Sequence, residues 1–310
     1  MPINIPENLP AYAKLCEEGV MVMTTERAQR QDIRPLEIGL INLMPKKEET
    51  ETQLARLIGA TPLQINLTLI RMTSHESRNA SKRHLEEFYC TFEETRSRKY
   101  DGLIITGAPI EHLEYERVNY WNELVEVFEW ARTHVHWTLG LCWAGMALLS
   151  HWRNIPKRLL PSKTFGCFEH QLIDARSPFM RGFSDQCQVP VSRWAECTRD
   201  DIARSPALNL LLDSAESGPC IVEDASCRYL CIFNHFEYDN LTLDSEYRRD
   251  VDAGRPIEVP RNYYPDDNPG RAPRNKWRSH GHVLYANWIN YIYQTTPYDI
   301  EEIGLAQLPR

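Results

Sequence analysis

Cys142 lies where an apolar strand runs directly into an apolar helix, in the segment HWTLGLCWAGMALL. Gly140 and Gly145 flank it at the spacing Gly-x-Cys-x-x-Gly, which is typical of a nucleophile elbow. Such a turn exposes the nucleophile, and the free N–H groups at the start of the helix favour the thiolate. The spacing alone leaves a second interpretation open, a buried structural cysteine, which is the commonest state of an unpaired one.

His235 and Glu237 stand at the end of another strand, in the segment RYLCIFNHFEYD. In an extended chain, side chains two residues apart point to the same side. A carboxylate beside an imidazole fixes its tautomer and stabilises the imidazolium, which is what a cysteine nucleophile requires of its base. Taken alone, the pair is more often an ordinary surface His and Glu. Together with Cys142 in an α/β sheet, it predicts a catalytic set.

An alternation of strands and helices supplies the framework that these residues need. Because parallel strands require crossover helices, the alternation predicts an open, mostly parallel sheet with helices on both faces. The predicted strands are 36–44, 63–70, 102–106 and 136–141, and the predicted helices are 48–57, 81–88 and 119–134. Later segments are predicted as short strands within 165–233, helices at 244–253 and 281–293, and an ordered loop at 254–276.

The predicted fold class is therefore α/β, with a β-rich late half and a C-terminal helix. The 310 residues are 42% hydrophobic and 25% charged, which is the composition of a globular protein with a substantial core. We divide the chain into an irregular N-terminal extension, residues 1–35, and a single α/β domain, residues 36–310.

The net charge limits the kinds of binding partner, and the cysteine content indicates the cellular compartment. The net charge of -8 disfavours nucleic acid and anionic lipid surfaces. No stretch approaches the roughly 18 apolar residues of a membrane span, and the N-terminus does not resemble a secretory signal. The nine cysteines include no CxxC pair, which argues against disulfides and zinc. We expect a cytoplasmic protein with free thiols and no metal.

The elbow and the later His-x-Glu together resemble the class I glutamine amidotransferase-like fold. Longer segments, in the same order and nearly end to end, resemble the homoserine O-acyltransferases of methionine biosynthesis, the MetA family. These segments are PLEIGLINLMPKKEETETQLARLIG, SHESRN, YDGLIITGAP, YWNELVEVFEWA, LCWA, KTFGCFEH and NYYPDDNPGRAPRNKWRSHGHVLYANWINYIYQTTPYDI.

The resemblance implies a two-step acyl transfer. Cys142 would carry the acyl group as a thioester, His235 would be the general base, and Glu237 would orient it. Thiolate attack on acyl-CoA releases CoA, and the homoserine hydroxyl then attacks the thioester, which predicts ping-pong kinetics. The backbone N–H of Trp143 would stabilise the oxyanion, with a second donor from the loop Gly107–Ile110.

The resemblance also implies that Lys163, Ser192 and Arg249 bind substrate. Arg249 can grip the homoserine carboxylate with two parallel hydrogen bonds, while the other two supply donors for a polar ligand. Without the resemblance, these residues would be interpreted as two surface cations and a strand hydroxyl. The expected partners are L-homoserine and acyl-CoA as substrates, with no cofactor, and the expected assembly is a homodimer.

Glu111, in the segment TGAPIEHLEY, bears on the acyl donor. In the family, Gly at this position accompanies succinyl-CoA and Glu accompanies acetyl-CoA. A succinyl carboxylate about 4 Å from Glu111 would be repelled by roughly 1 to 4 kcal/mol, depending on the effective dielectric. We therefore expect a homoserine O-acetyltransferase that uses acetyl-CoA. A homoserine O-succinyltransferase is the alternative function. If Glu111 is only a solvated loop acid, the choice of acyl group is set elsewhere.

Two positions depart from the family pattern. The family commonly shows Gly-His-Pro-Glu where this chain has Phe236 after His235, and Gln where this chain has Met146. These departures leave another amino-acid hydroxyl, such as that of serine, open as the acceptor. A glutaminase or amidase of the same fold usually has Gly at residue 144 and Gln at 146, whereas this chain has Ala144 and Met146. The intact catalytic set argues against a third interpretation, a non-enzymatic binding protein.

Overall fold

The computed structural model describes residues 3–18, 22–23, 34–74 and 81–304. Within these ranges, one sheet of twelve strands spans the molecule. The strands are β1 (Ile3–Asn4), β2 (Val22–Met23), β3 (Leu36–Ile41), β4 (Ile65–Arg71), β5 (Tyr89–Thr91), β6 (Tyr100–Ile105), β7 (Val135–Leu141), β8 (Arg158–Leu172), β9 (Gln186–Glu196), β10 (Asn209–Ser214), β11 (Gly218–Asp224) and β12 (Tyr229–Ile232).

Helices connect and cover the strands. In the described ranges they are α1 (Pro10–Glu17), α2 (Lys47–Ile58), α3 (Lys82–Phe88), α4 (Phe92–Thr95), α5 (Trp121–His134), α6 (Trp143–Arg153), α7 (Arg199–Ala203), α8 (Thr242–Asp252) and α9 (Arg278–Thr295). Of these helices, none combines the length and apolar character that a bilayer-spanning segment requires.

The sheet has a parallel half and an antiparallel half. Its strand order is β2-β1-β4-β3-β6-β7-β12-β11-β10-β8-β9, with β5 beside β4. Neighbours from β2 to β12 are parallel, and neighbours from β12 to β9 are antiparallel. The mostly parallel α/β architecture that the alternation predicts is therefore confirmed.

Two apolar layers enclose the parallel strands, as the residues of β6 show. Ile104 packs in the layer that contains Trp288 of α9, whereas Leu103 and Ile105 pack in the layer that contains Phe128 of α5. Successive side chains of a strand point to opposite faces, so a strand covered on both faces is apolar throughout. This requirement explains why the central strands are almost continuous hydrophobic runs in the sequence.

The elements predicted over residues 36–141 are confirmed to within a few residues at their ends. In the late half, β8 and β9 are longer than the short strands predicted, and β8 begins at Arg158. A register irregularity between Leu159 and Thr164 interrupts the alternation that would reveal the first part of β8. The loop predicted at 254–276 is present, and Arg261 anchors it to β8 by backbone hydrogen bonds.

The N-terminal residues differ from the irregular extension predicted over 1–35. In the described part, β1 pairs with β4 of the main sheet, and α1 buries Ala11 and Leu15. A helix of eight residues is marginal alone, so its stability comes from packing that the local sequence does not show. The division between an extension and one domain stays a prediction. Of the segment SHESRN, Ser74 is described, and the rest lies outside the described residues.

Candidate active site

Cys142 occupies the sharp turn between β7 and α6. Its backbone has φ +48° and ψ -118°, a conformation that L-residues rarely adopt and that costs about 1 to 3 kcal/mol. The strain is held in place by the sheet, because the Cys142 N–H donates to the Ile232 carbonyl at 2.7 Å. The residue is 5% exposed and lines a large cleft. The structure therefore places Cys142 in the strained elbow that the glycine spacing predicts.

The two flanking glycines allow α6 to cross β7 closely. A Cβ on Gly140 would lie 2.6 Å from Leu148 Cδ1 and 2.9 Å from Gly145 Cα. A Cβ on Gly145 would lie 2.9 Å from the Gly140 carbonyl oxygen. All three distances are shorter than real contacts of this kind, so larger residues would force the helix away from the strand.

His235 and Glu237 form a buried pair next to Cys142. The Nδ1 atom of His235 lies 2.6 Å from Glu237 Oε1, and the imidazole stacks on the Tyr238 ring at 4.1 Å between centroids. The two side chains lie close together, as predicted, but the backbone conformation that brings them together differs from the prediction. Residues 236 and 237 form a turn after β12 rather than extended chain, and Phe236 within this turn is buried.

The environment of His235 favours its protonated form. Burial alone would lower the pKa of the imidazole, but the charges and hydrogen bonds of Glu237 and Cys142 outweigh burial and raise it well above 6.5. Because Nδ1 faces Glu237, Nε2 is the ring nitrogen left for the thiol. The arrangement therefore favours an imidazolium beside Cys142.

Glu246, which the sequence reasoning missed, is the centre of a polar cluster on α8. Its Oε2 accepts hydrogen bonds from Ser192 Oγ at 2.6 Å and Lys163 Nζ at 3.0 Å, and its Oε1 accepts from the Tyr238 hydroxyl at 3.0 Å. Burial opposes ionisation, but Lys163 and Ser192 keep the pKa of Glu246 below its ordinary value. One signal was available: Glu246 lies three residues before Arg249, on the same face of a helix.

Arg249 lines the same cleft but is already engaged. Its Nε and Nη2 atoms donate to the two carboxylate oxygens of Asp250 at 2.8 and 2.9 Å. The side chain is 54% exposed, and its pKa is raised by the hydrogen bond to Asp250. A substrate carboxylate would have to share the guanidinium with Asp250.

Arg193, also missed by the sequence reasoning, is a buried cation behind Cys142 and His235. It donates to the Ala195 carbonyl at 2.8 Å, to the Ser217 carbonyl, and to Asn234 Oδ1 at 3.3 Å. Burial lowers the pKa of its guanidinium, and the neighbouring charge of Cys142 opposes that effect. Because Asn234 directly precedes His235, this network braces the loop that carries the imidazole.

Glu111 follows β6 and is 6% exposed in the wall of the cleft. Burial raises the pKa of its carboxyl, against the opposing charges of Lys163 and His235. Its backbone carbonyl accepts a hydrogen bond from Lys157 Nζ at 2.7 Å. Glu111 is therefore not a solvated loop acid, which was the alternative to a role in donor choice.

The backbone around Cys142 contains the two groups considered for oxyanion binding. Trp143 is the first residue of α6, so its N–H is among those without a partner within the helix. A Cβ on Gly107 would lie 3.0 Å from Cys142 Cβ and 3.3 Å from Trp143 N. The start of the loop Gly107–Ile110 thus lies against the elbow.

The two departures from the family pattern are core residues. Met146 is fully buried in the apolar layer on the α5 and α6 side of the sheet. Phe236 is 2% exposed, packs in the opposite layer, and makes an edge contact with Phe183. Neither residue lines the cleft. Apolar packing therefore accounts for both.

A single cleft of about 1240 Å³ brings the predicted residues together. Ligand pockets are commonly about 300 to 1,000 Å³, so the cleft has room for more than one small substrate. The predicted site residues that line it are Glu111, Cys142, Lys163, Ser192, His235 and Arg249. Glu237 and Trp143 are the exceptions: Glu237 contacts His235, and Trp143 was predicted to act through its backbone N–H.

Known proteins share both the fold and the sequence of this chain. A solved structure of a GMP synthase protein from Thermoplasma acidophilum aligns with a TM-score of 0.54 at 13% identity, over 84% of this chain and 96% of that one. This likeness concerns the fold alone, and it confirms the predicted fold class.

Sequence comparison is more specific. Proteins named homoserine O-acetyltransferase from Dinoroseobacter shibae and Cereibacter sphaeroides are 63% and 60% identical to this chain, each over 98% of it and 100% of the relative. The family profile described as homoserine O-succinyltransferase matches residues 2–298. The predicted kinship is confirmed: the chain belongs to the homoserine O-succinyltransferase family.

Proposed function

We propose that the protein is a homoserine O-acetyltransferase of methionine biosynthesis, which moves an acetyl group from acetyl-CoA to the hydroxyl of L-homoserine through a thioester on Cys142. The observation that carries this proposal is the elbow Cys142 beside the His235–Glu237 pair, with Glu111 in the same cleft. The names of the close relatives support the same activity.

In the first step, the Cys142 thiolate attacks the acetyl carbonyl carbon. The bond from that carbon to the CoA sulfur breaks, and the departing thiolate takes the proton held by His235. The negative oxygen of the intermediate accepts hydrogen bonds from the Trp143 N–H and from an N–H of the loop Gly107–Ile110. The raised pKa of His235 suits this step, because the imidazole begins it protonated.

In the second step, the neutral His235 removes the proton of the homoserine hydroxyl, whose oxygen attacks the thioester. The carbon–Sγ bond breaks, and the thiolate–imidazolium pair is restored. CoA leaves before homoserine reacts, which gives ping-pong kinetics.

The polar end of the cleft suits an amino acid. Arg249 provides hydrogen-bond donors for the α-carboxylate, and the buried carboxylate of Glu246 is a partner for the α-ammonium. Lys163 and Ser192 orient Glu246 and supply further donors. The cleft thus pairs both charges of L-homoserine near the hydroxyl that reacts. We also propose that the enzyme is cytoplasmic and that it forms a homodimer. Sedimentation of the purified protein would test the homodimer.

Acyl-enzyme mass spectrometry tests the reaction. Protein mixed with acetyl-CoA should gain one acetyl group on Cys142, and addition of L-homoserine should remove it. The matched control Cys142→Ala should fold, gain no acetyl group and release no CoA. In the native protein, iodoacetamide should label Cys142 ahead of the other eight cysteines. Turnover of L-serine in place of homoserine, or hydrolysis of glutamine, would contradict the proposal.

Donor choice is tested at Glu111. The native protein should prefer acetyl-CoA to succinyl-CoA, because the succinyl carboxylate would be brought against the buried Glu111 side chain, where it is repelled by an ionised Glu111 and loses solvent in either case. The ratio of kcat/KM for the two donors should shift toward succinyl-CoA in Glu111→Gly, by about tenfold or more. A native preference for succinyl-CoA, or a ratio that the substitution leaves unchanged, would refute the assignment.

A further inference from the structure

A second cavity of about 360 Å³ adjoins the cleft that Cys142 and His235 line, which we call the reaction cleft. It lies where β3, β4 and β6 end, which is the edge of a parallel sheet at which α/β proteins bind ligands. Met44, Pro45, Ala108 and Pro109 line both cavities and form their shared wall. A ligand could therefore extend from one cavity into the other past these four residues.

The charges of the second cavity are of one sign. Lys47, Arg71 and Arg117 line it, and none of its described lining residues is Asp or Glu. The reaction cleft is different, because acids as well as cations line it; its acids are Glu49, Glu111, Glu216, Glu246, Asp250 and Glu258. In a chain of net charge -8, a pocket with cations and no lining acid favours an anionic ligand.

The side chains of Arg71 and Lys47 differ in their hydrogen bonding. The Nε atom of Arg71 is buried and has no hydrogen-bond partner among the described residues. Buried donors are rarely left unsatisfied, so such an atom points to an acceptor that the described part of the chain does not supply. Lys47 instead donates to the backbone carbonyls of Asn42 and Met44.

Apart from Asn42 and Asn119, the rest of the cavity wall is apolar or aromatic. Met72, Leu85, Leu113, Val118 and Tyr120 provide this surface. A free phosphate would not use it, whereas a nucleotide has an anionic part for the cations and a flat base for the apolar side. The lining therefore fits a phosphorylated nucleotide better than an inorganic anion.

We propose that this cavity binds the nucleotide end of acyl-CoA, with Arg71 and Arg117 against its phosphates. The proposal rests on the proposed function, because the donor of that reaction carries a phosphorylated adenosine at the end remote from the thioester. The pantetheine arm would cross the wall formed by Met44, Pro45, Ala108 and Pro109 and bring the thioester to Cys142. The three lining cations then supply the positive charge that a polyanionic donor requires.

Truncated donors test this assignment. Acetyl-CoA, acetyl-dephospho-CoA and S-acetylpantetheine share one thioester but carry decreasing numbers of phosphates. In Arg71→Gln and Arg117→Gln, the KM for acetyl-CoA should rise about tenfold, which corresponds to the loss of one charge-assisted hydrogen bond. The KM for S-acetylpantetheine should stay the same, and kcat should be unchanged for all three donors. Arg71→Lys should recover part of the loss, because it keeps the charge.

Two sets of controls test whether the effect is specific to the second cavity. Arg181→Gln removes an exposed arginine outside both cavities and should leave the KM for every donor unchanged. Arg255→Gln and Arg261→Gln test the rival location, the rim of the reaction cleft. The proposal is overturned if the rim variants weaken acetyl-CoA selectively, or if the cavity variants weaken all three donors equally.

Direct binding separates this proposal from the proposed function. Calorimetric titration of CoA into Cys142→Ala requires no turnover. Weaker binding in Cys142→Ala/Arg71→Gln supports the cavity even if the chemistry were different, and equal binding in the two proteins overturns it. Failure of the native enzyme to gain an acetyl group would count against the proposed function alone.

Discussion

Two regions of the reaction cleft hold their functional groups in different ways. At the elbow, a strained backbone conformation and two glycines hold Cys142 in place. The helix that follows it is held mainly by apolar packing. Around Glu246, side chains from distant segments hold one another through charge and hydrogen bonds. In the proposed reaction the elbow positions the attacking sulfur, which favours rigidity, whereas the Glu246 cluster would exchange partners when a substrate enters.

Gly140→Ala tests the rigidity of the elbow and should have the largest effect. The new Cβ would collide with Gly145 Cα and Leu148, and overpacking of this kind costs about 1 to 3 kcal/mol in stability. A displacement of the turn should also reduce kcat about a hundredfold. Chemical denaturation and steady-state kinetics measure the two effects. Gly254→Ala is the control for a loss of stability outside the elbow: nothing lies within 4 Å of its added Cβ, but Ala is unfavourable at its φ of +64°, so stability should fall while kcat stays the same. Unchanged kinetics in Gly140→Ala would show that the elbow tolerates a wider turn.

Glu237→Gln tests the electrostatic support of the elbow through pH dependence. The pKa of His235 is raised above 6.5 in the folded protein, so its contribution to stability is complete below that pH and is lost as pH rises through the raised value. Native protein should therefore be more stable than Glu237→Gln by about 2 kcal/mol near pH 6, and the difference should shrink with rising pH.

The same comparison in a Cys142→Ala background isolates Glu237 from the thiolate. Histidine chemical shifts report the pKa directly and should show a lower value in Glu237→Gln. A stability difference that grows with pH would contradict the assigned pairing.

Glu246→Gln tests the second region, where a side-chain network replaces backbone rigidity. The substitution keeps the shape but removes the negative charge that Lys163 and Ser192 face. We expect the KM for homoserine to rise about tenfold, with formation of the acyl-enzyme unchanged. Lys163→Met removes the opposite charge and should leave the elbow equally unaffected. If either variant slows acylation of Cys142, the two regions are not independent.

Arg249→Ala should have the smallest effect of the four. The guanidinium is 54% exposed and paired with Asp250, so its net contribution to substrate binding is screened, at about 1 kcal/mol. The KM for homoserine should rise about fivefold, and acylation by acetyl-CoA should persist. Arg248→Ala, on the same helix but paired with Asp244, provides the control. Failure of Arg249→Ala to form the acyl-enzyme would show that its assigned role is wrong.

The elbow was predictable because its determinants are local. Gly140, Cys142 and Gly145 lie within six residues, and the requirement for small residues at a close crossing follows from their spacing. The parallel strands were predictable for a similar reason: burial on both faces makes each strand apolar throughout. The first part of β8 was missed because its irregular pairing breaks the alternation, and α1 was missed because packing stabilises it.

By itself, the amino-acid sequence determined the elbow, the strand and helix order of residues 36–141, and the pairing of a histidine with a nearby glutamate. Each depends on neighbours along the chain, whose geometry is set by backbone conformation and side-chain periodicity. Only the tertiary structure decided the Glu246 cluster, where Lys163 and Glu246 are 83 residues apart, and the cation-lined cavity that Arg71 and Arg117 share. Charges pair by distance in space, and residues this far apart in sequence meet only in the folded structure.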